Sequence, residues 1–125
     1  MAVILLIDDS STVRSQLRQF LEARGFSVLE AENGAVGVEE ASKRSPDLAI
    51  VDVNMPVLGG IETVRQIRKL PGHQTTPIFM LTTETSAAIA AASKSAGATA
   101  WMVKPCNLEV LHRGIEAVLR IPTDA

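Results

Sequence analysis

Five short apolar runs, each followed by a segment with helical spacing, constrain this chain more than any other feature of its sequence. The first is Val3 to Ile7, ending in Asp8-Asp9. Ser10 or Ser11 then caps a helix that presents Val13, Leu17, Phe20 and Leu21 on one face, and Gly25 is placed to end it. Phe26 to Leu29 reads as a second strand, and Asn33-Gly34 opens a weaker helix containing Val38 and Ala41. Leu48 to Val51, an unbroken apolar run that includes the β-branched Ile50 and Val51, has the pattern of a strand buried on both faces; it ends at Asp52, and Pro56 stops any continuation. Gly59-Gly60 precedes a helix with Ile61, Val64 and Ile67 in register, closed around Pro71-Gly72. Ile78 to Leu81 is a fourth strand, ending in Thr82-Thr83, and Ser86 caps an alanine-rich helix that finishes near Gly97. Ala100 to Val103 is a fifth strand, ending in Lys104-Pro105. Asn107 caps a last helix with an apolar stripe of Leu108, Leu111, Ile115, Val118 and Leu119. Strict alternation with right-handed crossovers implies an α/β fold, a parallel sheet covered by helices on both faces.

Composition limits what such a sheet can serve. The chain has 125 residues, 46% of them apolar, enough for a core without disulfides or a structural metal. A single domain spanning 1–125 is expected. A formal net charge of −2 gives no bulk attraction to nucleic acid, and no helix-turn-helix region is left over beyond the alternating units. The lone cysteine, Cys106, reads as a small apolar filler; it cannot form a CxxC site. The N-terminal run is only strand length and lacks a basic region, so neither a signal peptide nor a membrane anchor is expected, and a soluble cytoplasmic protein is.

The polar residues that close the strands fall together. Asp8 and Asp9 follow the first strand, Asp52 the third, Thr82 the fourth and Lys104 the fifth. In a parallel sheet these C-terminal ends share one edge, where open α/β sheets bind ligands. Three carboxylates gathered there raise at least one pKa unless a cation is present. Hard oxygen ligands suit Mg²⁺, which keeps open positions for a phosphate. Thr82 offers a hydroxyl and Lys104 a compact positive charge to phosphoryl oxygens. Taken singly, each has a plainer explanation: an acidic complement to a helix N-terminus, a turn hydroxyl, a solvated lysine. Asp52 between Val51 and Val53 is harder to explain away, because a buried carboxylate needs a partner. Together the residues fit phosphoryl transfer onto an aspartate, with positioning and charge neutralisation doing most of the work.

Four segments carry a family resemblance: Leu-Ile-Asp-Asp-Ser-Ser-Thr-Val-Arg at 6–14, Val-Asp-Val-Asn-Met-Pro at 51–56, Met-Leu-Thr at 80–82, and Ala-Gly-Ala to Val-Lys-Pro at 96–105. Through them the sequence resembles the receiver domain of two-component response regulators, most closely the CheY-like chemotaxis regulators. The resemblance implies a flavodoxin-like (βα)₅ fold with strand order 2-1-3-4-5. It makes Asp52 the phosphoacceptor, assigns Mg²⁺ to Asp9, Asp52 and the backbone carbonyl of Asn54, and gives Asp8 a metal-bound water. It places Thr82 and Lys104 on the phosphoryl group and makes the Lys104–Pro105 bond cis. Trp101, three positions before the lysine, stands where the family's rotamer switch residue is found, with Tyr or Phe more usual. As a core aromatic beside the fifth strand it needs no switching role. Asn54 and Glu84 hold the positions that tune phosphoryl lifetime, and Thr83 is bulkier than the Ala or Gly often found beside them. Further departures are Gly59-Gly60 in place of Asp-Gly and Cys106 in place of Phe. His112 and Arg113 lie on the last helix, where surface roles are the default. The implied partners are a histidine kinase of the CheA type and an output protein or motor component binding the fourth helix, fifth strand and fifth helix. No nucleic acid or membrane is implied.

Other functions of the same fold compete unequally. A phosphorelay carrier would pass phosphate from Asp52 to a histidine on another protein, and would show slow hydrolysis. A phosphatase of the haloacid dehalogenase type needs a general acid where this chain has Asn54, an amide that does not donate a proton readily. A flavin carrier needs a phosphate loop after the first strand, where Asp8-Asp9 would repel a phosphate. A regulator that is not an enzyme, beyond its own phosphorylation and dephosphorylation, is the expectation.

Overall fold

Caps and turns set the element boundaries where the local chemistry predicts them. The computed structural model describes residues 2–83 and 86–119. The chain runs β1 (Val3–Ile7), α1 (Ser11–Glu22), β2 (Ser27–Ala31), α2 (Gly34–Arg44), β3 (Leu48–Asp52), α3 (Gly60–Arg68), β4 (Ile78–Thr82), α4 (Ala87–Ala96), β5 (Ala100–Val103) and α5 (Leu108–Val118). Ser10, Asn33, Ser86 and Asn107 are N-caps whose side chains accept from the backbone N–H three residues on, satisfying one otherwise orphaned donor in each helix. Gly97 closes α4 in the left-handed region at φ 106°, a conformation that would strain a side-chain-bearing residue.

The strands form one parallel sheet in the order β2-β1-β3-β4-β5. Alternate residues feed two cores. Leu5, Ile7, Ala49, Val51, Ile78 and Met80 point to the face covered by α2, α3 and α4. Ile4, Leu6, Leu48, Ile50, Phe79 and Leu81 point to the face covered by α1 and α5. Every residue of β1 after Val3, and every residue of β3 and β4, is buried, which explains their unbroken apolar composition. Each fully buried Ile or Leu contributes roughly 1.5–3 kcal/mol relative to exposure, so the central strands fix the register.

Three expectations need correction. β2 starts and ends later than Phe26 to Leu29, because Glu30 is accommodated within the strand by Arg14 and Arg18. Helix α3 stops at Arg68, three residues before Pro71, with the Lys69 N–H bonding back into the last turn. Val118 does not belong to the buried stripe of α5: it is 38% exposed, while Leu119, one position on, packs against the core. β5 spans the expected Ala100–Val103; as an edge strand it leaves Trp101 and Met102 half-buried and Ala100 and Val103 exposed.

Candidate functional site

Parallel pairing brings the ends of β1, β3, β4 and β5 to one edge. Asp8 follows β1, its N–H donating to the Ala31 carbonyl at 3.1 Å, and Asp52 is the last residue of β3. Both are buried, at 3% and 5% exposure, whereas Asp9 is exposed. One carboxylate oxygen from each of the three lies within 4.8 Å of the others. Lys104 reaches in from the far side of β4, where its N–H donates to the Thr82 carbonyl at 2.7 Å. Its Nζ lies 3.0 Å from Asp8 Oδ2 and 3.3 Å from Asp52 Oδ1. The Lys104–Pro105 bond is cis, as the resemblance implied.

The electrostatics follow from this crowding. Burial pushes the Asp52 carboxyl above the ordinary carboxylate range and the Asp8 charge adds to the shift, while Lys104 and the Asn54 N–H oppose it. Burial acts downward on the Lys104 ammonium, but its hydrogen bond and charge attraction to Asp8, reinforced by Asp52, leave it raised. Asp52 is thus a buried carboxylate short of positive charge, with a lysine shared between it and Asp8.

Of the other residues singled out in the sequence, Asn54 is exposed and its N–H lies 3.4 Å from Asp52 Oδ1. Thr82 is fully buried at the end of β4. Thr83 is exposed and lines a cleft of about 770 Å³ with Lys104, Pro105, Cys106, Leu17 and Phe20. Cys106 serves as a partly buried filler beside the α1–α5 core, and burial pushes its thiol up. Trp101 packs on the other side of the sheet, in a groove with Ala90, Ser93 and Lys94 of α4. Glu84 lies outside the described residues.

Three supporting residues had no functional assignment in the sequence. Ser10 caps α1 and also donates its N–H to Asp8 Oδ1 at 2.9 Å; the Asp-x-Ser spacing was the available signal. Gly60 comes so close to the end of β3 that a Cβ there would sit 2.2 Å from the Asp52 carbonyl oxygen. The Gly-Gly pair marks it. Arg14 donates to the Asp8 carbonyl, a contact no spacing rule reveals.

The donor set fits a hard divalent cation. Asp8, Asp9 and Asp52 each offer a carboxylate oxygen, and the three lie within 4.8 Å of one another, close enough to hold one such ion directly or through a water. Asp8 would suit a water-mediated contact, because its oxygens already accept from Lys104 and Ser10.

A doubly wound parallel sheet with an acidic trio and a lysine at its C-terminal edge has the flavodoxin-like architecture of the CheY fold. The chain belongs to the response regulator receiver domain family, whose model matches residues 4–116. It is 38% identical over 119 residues to protein PilH of Pseudomonas aeruginosa, covering 95% of this chain and 98% of that protein. It is also similar to the chemotaxis protein CheY4 of Vibrio cholerae, with 41% identity, a TM-score of 0.90, and coverage of 94% and 98% of the two chains. The response regulator MprA of Mycobacterium leprae is 38% identical over 117 residues, 94% of this chain but 50% of that protein. The family places the chain in two-component signalling, with a histidine kinase upstream and an output downstream. Among the described residues no helix is long and apolar enough to cross a membrane.

Proposed function

We propose that this chain is a response regulator switched by phosphorylation of Asp52, acting in a chemotaxis-type pathway. The observation that carries the reading is Asp52 itself: a carboxylate almost wholly buried, held at the sheet edge between two further carboxylates and Lys104. In the reaction an Asp52 carboxylate oxygen attacks phosphorus, forming a P–O bond as the P–N bond of a kinase phosphohistidine breaks and the imidazole leaves. Bound Mg²⁺, held by Asp9, Asp52 and the Asn54 carbonyl with Asp8 through water, would supply charge neutralisation of the phosphoryl oxygens. Lys104, 3.3 Å from Asp52 Oδ1, would contact the phosphoryl group, relinquishing part of its attraction to Asp52. The Thr82 hydroxyl completes the set from β4.

The chain then works as a binding module and not as an enzyme with an external substrate. Phosphorylation changes the face formed by α4, β5 and α5, where Trp101 sits, and shifts affinity for an output partner by no more than the difference between the two states. Similarity to a chemotaxis protein and to PilH favours a CheA-type kinase as donor. Acetyl phosphate with Mg²⁺ is expected to add one phosphoryl mass to the wild type and none to Asp52→Ala, with a Trp101 fluorescence change. Phosphorylation of Asp52→Ala to the same extent, by acetyl phosphate or by kinase, would overturn the assignment. Rapid transfer from Asp52 to a histidine phosphotransfer domain, with slow hydrolysis, would replace the switch by a relay.

A further inference from the structure

Beyond the residues that touch metal or phosphate, one side chain ties the acidic edge to the outside of the sheet. Arg14, on the first turns of α1, is only 16% exposed. Its Nη1 donates to the Asp8 carbonyl, and its Nε donates to Glu30 Oε1 of β2 at 2.9 Å. The second Glu30 oxygen accepts from Arg18 Nη1 at 2.7 Å, and Arg18 Nε in turn holds Glu22 at 3.0 Å. Arg14 is thus clamped at one end by a β2 carboxylate that is itself fixed by a second arginine.

The atom it holds matters. The β1–β2 ladder makes its last bond through the Asp8 N–H, so the Asp8 carbonyl points beyond the sheet and needs another donor. That carbonyl shares a peptide plane with the N–H of Asp9. Rotation of this plane swings the Cα–Cβ bond of Asp9, the one exposed member of the acidic trio. Asp8 has its own restraints in Ser10 and Lys104; among the described residues no side chain bonds the Asp9 carboxylate.

We propose that Arg14 is a positioning residue for the divalent-cation site: by bridging the Asp8 carbonyl and Glu30, it fixes the peptide plane from which Asp9 projects. The inference rests on the metal-dependent reading above. It also predicts a sign. A guanidinium near a cation site repels the cation, so an arginine acting only through its charge would weaken binding, and its removal would strengthen it. A positioning arginine does the reverse.

The test is Mn²⁺ and Mg²⁺ affinity, by electron paramagnetic resonance and calorimetry, on wild type, Arg14→Met, Arg14→Lys and Asp9→Asn. Folding of Arg14→Met is favoured because Glu30 keeps Arg18, and urea unfolding checks it. The expected result is about tenfold weaker binding in Arg14→Met. Arg14→Lys should lose nearly as much, since an ammonium keeps the charge but not the two-pronged reach. In an Asp9→Asn background the Arg14 substitution should change little, because its effect passes through Asp9. Equal or tighter binding in a folded Arg14→Met variant overturns the positioning role, as does an undiminished loss in the Asp9→Asn background. Absence of Mn²⁺ and Mg²⁺ binding by wild type overturns the metal reading itself, and the positioning role with it.

Discussion

Burial and the neighbouring Asp8 charge both disfavour ionised Asp52, and in the metal-free protein Lys104 and one backbone N–H only partly oppose them. Its folded pKa therefore lies above the unfolded one, and between the two the native state holds more protons. Stability from this group is fully present below the unfolded value and is lost as pH rises through the folded one. Urea unfolding in EDTA should thus show Asp52→Asn gaining on wild type as pH rises from 4 to 7, with Lys104 still paired to Asp8; a gap independent of pH would show that Asp52 is not perturbed. A second residue carries cost without packing. Val57 is at φ 70° and 80% exposed, a left-handed conformation that a β-branched side chain resists. Val57→Asn should raise stability by about 1 kcal/mol, read as a higher urea midpoint at unchanged m-value; no gain would mean the loop relaxes. Asp52 was legible because a charge inside a β-branched run has no cheap explanation. Val57 and Arg14 were not, since backbone sign and a side chain's reach to a distant carbonyl leave no periodic trace.

At the level of elements, capping residues announced α1, α2, α4 and α5, while loops between elements are held by side chains from elsewhere in the chain. Arg68, at the end of α3, is the clearest case. Its guanidinium donates to the Gly97 carbonyl through Nε at 3.0 Å and Nη2 at 2.7 Å, and to the His73 and Thr76 carbonyls through Nη1 at 2.9 and 2.6 Å. It ties the α3–β4 loop to the end of α4, and burial lowers its pKa. Nothing in the helical pattern of Ile61, Val64 and Ile67 marks it. Arg68→Met keeps the stem and removes the donors, so the Gly97, His73 and Thr76 carbonyls lose charge-assisted bonds. The expected cost is about 2–4 kcal/mol, with amide exchange accelerated first in residues 71–77. A loss under about 0.5 kcal/mol would show that water replaces the guanidinium at no penalty. Glu30 makes the same point for strands: the apolar run ends at Leu29, but β2 continues through Glu30 because the two arginines that neutralise its charge come from another element.

For the whole molecule, the sheet joins two cores that meet the site from opposite faces. The α1–α5 core includes Leu6, Ile50 and Leu81, and the α2–α4 core Ile7, Val51 and Met80; Ile7 and Val51 directly precede Asp8 and Asp52, and Leu81 is the ladder partner of Asp52. A ligand drawing Asp8, Asp9 and Asp52 together therefore spans β1 and β3, and stabilises both cores at once. Mg²⁺ bound only by the native state contributes RT ln(1 + [L]/Kd), about 2.7 kcal/mol at a hundred times Kd. The increment should be larger at pH 7 than at pH 5, because protons compete for the raised Asp52 carboxylate. One cooperative transition should move, without broadening, in a Mg²⁺ titration at constant ionic strength. Asp9→Asn and Asp52→Asn should each shrink the shift severalfold. If Mg²⁺ stabilised these variants as much as wild type, the effect would be screening of the acidic surface, and the acidic edge would not be a specific site. If the transition split in two, the cores would unfold separately and the sheet would not couple them.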